Sequence, residues 1–132
     1  MSLHVDTASR LPIYQQLAQQ IREAIARGEL QPGAGLPSVR QLSGELVVNP
    51  NTVARAYTEL EREGLLVSRP GRGIYVAPPR NDLTRSARDR RLTEQLDRWL
   101  TEAVHLGFSA DQVVRMVSER VRRFQWNAGG AA

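Results

Sequence analysis

The feature that most constrains the fold is a pair of short, sharply delimited helical segments between Ser38 and Gly64. Ser38 can cap the first helix, and Gln41 three residues later fits the pattern of a capping box. Asn49 can cap the second helix, because Pro50 then takes the first helical position, where a missing N–H costs nothing. The second helix is predicted to end just before Gly64, which suits a left-handed stop. Only a tight turn separates the two helices, so this stretch is predicted to fold as a helix-turn-helix pair.

The second helix of this pair has two chemically different faces. At 100° per residue, the buried side is predicted to comprise Val53, Ala56, Tyr57 and Leu60. The opposite side carries the polar residues Asn51, Arg55 and Thr58, and Thr52 lies beside them. Asparagine pairs with adenine and arginine with guanine, so Asn51 and Arg55 suit base readout. We interpret Thr58 as a peripheral or phosphate contact, and the alternative for Arg55 is an ordinary solvated charge.

A longer helix precedes the pair and a hairpin follows it. Pro12 and Gly28 delimit the first helix, whose apolar stripe is Ile13, Leu17, Ile21 and Ile25. The β-prone runs 65–68 and 74–77 flank "RPGRG", in which Pro-Gly suits a type II turn. Arg69 and Arg72 lie at the hairpin tip, where we expect contact with the backbone or the minor groove of a nucleic acid. Three helices followed by a hairpin are typical of a winged helix-turn-helix.

The remaining residues predict two further helices and a dimer. The arginine-rich segment 80–91 is interpreted as a linker or a solvated helix start, with phosphate contact as the alternative. One apolar stripe begins at Leu92, and another follows a stop at Gly107 and a cap at Ser109. A lone helix pair cannot cover both stripes, so we expect an obligate homodimer. Its predicted interface comprises Leu92, Leu96, Trp99, Leu100, Val113, Val117, Val121 and Phe124. Trp99 and Trp126 could instead line a ligand pocket.

The predicted fold is therefore mainly α with a small β-hairpin. A winged helix-turn-helix at residues 1–78 precedes a two-helix dimerisation domain at 79–132, whose tail 127–132 is expected to be disordered. The net charge is +4, which favours an acidic partner such as nucleic acid, and every basic residue is arginine. The alternative explanation for the absence of lysine, without a functional role, is a GC-rich genome. Since neither a long apolar run nor a secretory signal is present, we expect no membrane segment and a cytoplasmic location.

Enzyme chemistry finds no support in the sequence. The chain has no cysteine, no Walker-type loop, no HExxH motif and no histidine–carboxylate cluster near a serine. His4 and His105 are too few and too far apart to suggest a metal site, so no catalytic residue, metal or cofactor is predicted. A rival to DNA binding is a winged helix that binds only proteins. A winged helix of that kind would not need Arg40, Asn51 and Arg55 to face outward together with basic residues on the wing.

Four stretches identify a family. "LPSVRQL", "NTVARAY", "LEREGLL" and "GRGIYV" stand in the order and spacing of the GntR family of bacterial transcriptional regulators, which the chain resembles from Pro12 to about Val76. The short helical tail resembles the YtrA-type branch, whose tail dimerises and whose regulated genes commonly include ABC transporters. The resemblance implies a repressor that binds a double-stranded operator and controls its own operon, and the two-fold symmetry of the predicted dimer implies an inverted repeat in that operator. It identifies no effector, operator sequence or regulated gene.

The resemblance also implies residue roles. It predicts DNA contacts by Arg40, by residues of the "NPNT" helix start and by the glycines of the wing tip: Asn49, Asn51, Thr52 and Gly73. Many relatives in other branches carry arginine where this chain has Pro50 and Ala54, and Arg55 can compensate from an adjacent position. Many relatives also have glycine where Val47 stands. Because a β-branched residue tolerates positive φ poorly, this turn is predicted to be strained or differently shaped.

Overall fold

The computed structural model describes residues 2–79 and 85–126, and the statements below concern these residues. The chain divides near residue 80 into two compact units. The first contains three helices and three strands: α1 (Ile13–Ala26), β1 (Gly35–Leu36), α2 (Val39–Leu46), α3 (Pro50–Arg62), β2 (Leu66–Arg69) and β3 (Gly73–Val76). The second contains α4 (Arg85–His105) and α5 (Ala110–Val121). The predicted disordered tail 127–132 and residues 80–84 of the predicted linker or helix start lie outside the described residues.

The core of the first unit lies where α1, α3 and the sheet meet. Its most deeply buried side chains are Tyr57, Leu17, Ile21, Leu60, Val53 and Val76. All four α3 residues that the helical period assigned to the buried side are indeed buried, so that prediction is confirmed. The stripe on α1 is confirmed at its centre, whereas Ile13 and Ile25 at its ends are only partly buried.

A paired charge fixes α1 against the far end of α3. The Arg22 guanidinium donates two hydrogen bonds to the Glu63 carboxylate, from Nε to Oε1 at 2.8 Å and from Nη2 to Oε2 at 2.6 Å. This bond raises the pKa of Arg22 above its ordinary value. About a third of each side chain remains exposed, so the pair orients the helices more than it stabilises the fold.

The predicted caps at Ser38, Asn49 and Ser109 are all present. Ser38 Oγ accepts the backbone N–H of Gln41 at 3.0 Å. The capping box expected there is only half formed, because the Gln41 amide turns along the helix to donate to Glu45 at 3.5 Å. Ser109 has the complete capping box: its Oγ accepts the Gln112 N–H, and its own N–H donates to the Gln112 side chain.

The predicted hairpin is confirmed, and a third strand joins it. β2 and β3 pair antiparallel from Leu66↔Val76 to Arg69↔Gly73. The tip closes through a bond from the Arg72 N–H to the Arg69 carbonyl at 2.8 Å, with Gly71 at φ +73°, as a type II turn requires. β1, for which the sequence showed no strand signal, pairs with the other edge of β3 and gives the order β1-β3-β2.

Two glutamines on α1 hold the segment that precedes the helix. Gln16 accepts the Asp6 N–H at 2.9 Å and donates to the Asp6 carbonyl at 3.0 Å. Gln20, one turn later, does the same with His4 at 2.9 and 2.7 Å. Side chains at alternate positions of this segment pack against the core: Leu3 and Val5. Gln16 is almost fully buried, so its amide needs these hydrogen-bond partners, and the bonds hold the preceding segment against α1.

Candidate DNA-binding surface

The turn between α2 and α3 has the strained shape that the sequence predicted. Val47 adopts left-handed φ 54° and ψ 52°, and it is the one described residue other than glycine with positive φ. Its side chain is 89% exposed, so packing of the side chain does not compensate for the strain. The turn is closed by the Val48 N–H, which donates to the Ser43 carbonyl at 3.1 Å. For an L-residue, this conformation costs about 1–2 kcal/mol.

A buried hydroxyl sets the position of α3 relative to the start of α2. The Tyr57 O–H donates to the Pro37 carbonyl at 2.7 Å, and the tyrosine is 1% exposed. Burial raises the pKa of Tyr57 to about 12, since the anion would have to be formed away from water. Helical periodicity predicted Tyr57 in the core but not this bond, which joins α3 to the residue just before the Ser38 cap of α2.

The start of α3 collects most of the predicted base-reading residues on one exposed face. Asn51, Arg55 and Thr58 are exposed there, and Thr52 beside them is half-buried. Asn49 Oδ1 is occupied as the helix cap, since it accepts the Asn51 N–H at 2.8 Å. The Asn49 side chain still has its amide N–H groups to offer, and these suit a phosphate oxygen.

Arg40 is exposed in the first turn of α2, as predicted. The backbone behind it is fixed, because the Ser43 hydroxyl donates to the Arg40 carbonyl at 3.0 Å. Its guanidinium forms no salt bridge within the described residues. A free guanidinium on this helix suits a phosphate or a base edge.

The wing presents Arg69, Arg72 and Gly73, all of them exposed. Arg69 Cζ lies 5.5 Å from the centre of the Tyr75 ring, and the Tyr75 hydroxyl donates to the Arg72 carbonyl at 2.6 Å. Gly73 has φ +104°, which L side chains rarely adopt. At the base of the wing, the Ser68 hydroxyl donates to Glu61 of α3 at 2.9 Å. The wing is thus a narrow basic tip whose base is hydrogen-bonded to α3.

One contact at this surface was not predicted. Arg55 Cζ lies 3.9 Å from the centre of the Tyr14 ring, at the start of α1. The sequence offers only a weak signal for it, namely an aromatic residue next to the apolar stripe of α1 and 41 positions before Arg55.

In the second unit, the predicted interface residues form apolar surface that is covered only in part. The exposed fraction falls along α4 from 67% at Leu92 to 49% at Leu96 and 38% at Trp99. Leu100 and Phe124 are half-buried, while Val117 and Val121 remain about 40% exposed. Val113, next to the turn, is 9% exposed and already covered within its own unit. Among these residues, cover along α4 therefore improves towards the turn, whereas on α5 only Val113 is well covered.

The second stripe extends beyond its helix. α5 ends at Val121, so Phe124 lies in the segment that follows the helix. The sequence predicted Phe124 on the apolar stripe of the helix itself. Its ring centre is 6.3 Å from that of Trp126, whose indole N–H donates to the Val121 carbonyl at 2.7 Å. Trp99 lines a cavity of about 240 Å³, and Trp126 is not part of the lining of that cavity.

The described residues offer little to other chemistry. They contain no group of three histidine, cysteine or carboxylate side chains placed to hold a metal ion. A helix with the length and apolarity to cross a bilayer is likewise absent from residues 2–79 and 85–126.

Comparison with known proteins agrees with this geometry. The model of the bacterial regulatory proteins of the gntR family matches residues 13–76. The HTH-type transcriptional repressor YtrA of Bacillus subtilis (strain 168) is 35% identical over 89% of this chain and 90% of its own length.

Two solved structures extend the comparison. The transcriptional antiterminator from Listeria monocytogenes EGD-e superposes with a TM-score of 0.80 at 29% identity, over 97% of this chain and 96% of that one. AraR(DBD) in complex with an operator superposes with a TM-score of 0.53 at 29% identity, over 58% of this chain and 99% of that one. The members of the matched family are transcription regulators rather than enzymes. The protein described here, a winged helix-turn-helix followed by two helices of YtrA type, belongs to the GntR family of bacterial regulators.

Proposed function

We propose that this protein is a sequence-specific repressor that binds an inverted-repeat operator as a homodimer. The outward face of α3 carries the proposal. Asn51 and Arg55 are exposed in the first two turns of a helix whose opposite face is buried. Recognition helices of this class read base edges with their N-terminal residues. A winged helix that binds only proteins would not need this row together with Arg40 and a basic wing.

The relatives favour repression and DNA as the partner. AraR(DBD) is bound to an operator in its crystal structure, and YtrA of Bacillus subtilis is named a repressor. From the family resemblance we extend the proposal: this chain represses its own operon and a transporter, and it works in the cytoplasm, where bacterial DNA is. No feature of the described residues assigns an effector.

The homodimer is supported by the apolar surface of the second unit. Leu92 and Leu96 on α4 and Val117 on α5 are between 41% and 67% exposed. A second copy related by a two-fold axis would bury this surface and present two recognition helices to one side of a duplex. Such a dimer matches half-sites about one helical turn, or a multiple of it, apart.

The test uses the full chain and a duplex that it selects from a randomised pool. Gel shifts over a salt series then compare the wild type with Arg55→Ala. We expect the variant to lose about 1–3 kcal/mol of specific binding and to relax its preference at one base position. Arg62→Ala is the matched control, because Arg62 lies on the same helix about two turns further from its N-terminus.

The two variants separate base reading from charge. An unchanged sequence preference in Arg55→Ala would contradict the assignment of α3 as the reading helix. An equal loss of sequence preference in Arg62→Ala would show that the position of the arginine on α3 does not matter. The exposed face with Asn51 and Arg55 would then have no special role in reading bases. A wild type that selects no sequence from the pool would contradict the proposed function itself.

A further inference from the structure

The stacking of Arg55 on Tyr14 is the observation that reaches beyond the proposed function. The Arg55 Cζ atom lies over the ring, 3.9 Å from its centre, well inside the roughly 6 Å range of cation–π contacts. The two residues come from different elements, α1 and α3, whose packing forms the core. The contact therefore depends on the tertiary fold and not on one helix alone.

Tyr14 is held in place, whereas the helical neighbour that could have held Arg55 is engaged elsewhere. Tyr14 is half-buried and packs against the core, and its hydroxyl accepts a bond from the Gln15 amide at 3.0 Å. Glu59, four residues after Arg55, pairs instead with Arg62. Among the described salt bridges, none involves Arg55. The guanidinium thus rests on a fixed ring while its charge is not neutralised.

The geometry of a guanidinium makes this arrangement useful for reading a base. Its N–H donors lie in the plane of the group and point outward from the edge, whereas stacking uses the face. Arg55 can therefore rest on the ring and still offer two parallel donors to O6 and N7 of guanine. A side chain held in this way loses less conformational freedom when DNA binds.

We propose that Tyr14 is a positioning residue for DNA recognition, whose ring orients Arg55 for bidentate contact with one guanine. This inference rests on the proposed function. Tyr14 acts through Arg55, so its effect on binding should be confined to the base pair that Arg55 reads. The second arginine–tyrosine pair, Arg69 with Tyr75 on the wing, is looser at 5.5 Å and provides an internal comparison.

The binding test uses the full chain and the duplex selected by the wild type. Tyr14→Phe keeps the ring and removes only the hydroxyl, so it should bind like the wild type. Tyr14→Leu keeps an apolar side chain and removes the ring. We expect it to lower specific affinity about two- to fivefold, in line with an exposed cation–π contact, and to relax preference at the base pair affected by Arg55→Ala. The slope of affinity against salt should not change, because no charge is removed.

A double-mutant cycle decides whether the effect passes through Arg55. In the Arg55→Ala background, Tyr14→Leu should have no further effect on binding. A full second loss there would overturn the inference, as would a Tyr14→Phe variant as weak as Tyr14→Leu, which would indicate a direct hydroxyl contact. Tyr75→Leu is the control, and it should leave the preference at the Arg55 base pair intact.

A measurement without DNA covers the case in which Tyr14→Leu fails to fold. In the free wild type and in Tyr14→Phe, the ring should shift the Arg55 Hδ proton resonances upfield, and NMR on the full chain would record this. Unshifted resonances would overturn the inference. A wild type that selects no duplex overturns the proposed function, whereas one that selects while Tyr14→Leu keeps full preference overturns only the role of Tyr14.

Discussion

At the scale of single residues, Val47 is the clearest source of strain in the described chain. Its left-handed backbone costs about 1–2 kcal/mol for an L-residue, whereas glycine adopts it freely but loses more entropy on folding. We expect Val47→Gly to raise the free energy of unfolding by about 0.5–1 kcal/mol, measured by urea denaturation. The adjacent Val48→Gly is the control, since Val48 is half-buried and lacks positive φ, and it should destabilise. A Val47→Gly variant that is less stable than the wild type would contradict this account.

Tyr57 predicts a dependence of stability on alkaline pH. Its folded-state pKa of about 12 lies above the ordinary value of 10.0, so the folded state favours the protonated phenol. The corresponding stability is fully present below pH 10 and is lost as the pH rises to about 12. Denaturant melts across this window should show a decline that is absent in Tyr57→Phe. That variant also leaves the Pro37 carbonyl without its donor and should lose about 1–2 kcal/mol at neutral pH. An identical decline in both proteins would assign it to other groups.

At the scale of elements, the wing makes a separable prediction. Arg69 and Arg72 stand on a narrow tip that cannot fill a major groove as a helix does. Replacing both by alanine should weaken binding to selected and random duplexes alike, and it should reduce the salt slope by about two charges' worth. Gel shifts at several salt concentrations measure both quantities. A loss confined to the selected duplex, with the slope unchanged, would mean that the wing reads sequence.

Elements with local signals could be predicted from the sequence. Ser38, Asn49 and Ser109 each precede a helix and each cap it, because a cap depends only on the next three residues. β1 could not be predicted, since the two residues Gly35 and Leu36 are too short to show alternation. They form a strand only because β3 presents a free edge, which is a property of the fold.

The same division applies to the candidate site. The exposure of Asn51 and Arg55 followed from helical periodicity. The stacking of Arg55 on Tyr14 and the bond from Tyr57 to Pro37 join residues 41 and 20 positions apart. Contacts of that kind depend on how α1, α2 and α3 pack, and no local pattern encodes them. Whether the predicted residues touch DNA stays a prediction until binding is measured.

At the scale of the whole molecule, the apolar surface of the second unit predicts association. Leu96→Glu combined with Leu100→Glu places two carboxylates in the proposed seam, where unpaired burial costs several kcal/mol. We expect a monomer with a folded first unit and little operator affinity, as measured by sedimentation and gel shift. Arg115→Glu is the control, because Arg115 is exposed and lies, at 100° per residue, on the side of α5 opposite Val113 and Val117. A wild type that sediments as a monomer at micromolar concentration and still binds tightly would contradict the dimer.

The contacts of Gln16 and Gln20 have a consequence for how the start of the chain can vary. Both amides bond main-chain atoms of His4 and Asp6, so they recognise the course of the backbone and not the identity of its side chains. A polar substitution at position 4 should therefore be nearly neutral, whereas position 6 also needs a short side-chain acceptor, because Asp6 Oδ1 accepts the Ala8 N–H at 2.9 Å. A single inserted residue would shift the register and exchange the inward and outward positions, moving polar groups towards the core. Divergent sequences can share this docking mode provided that their spacing is preserved.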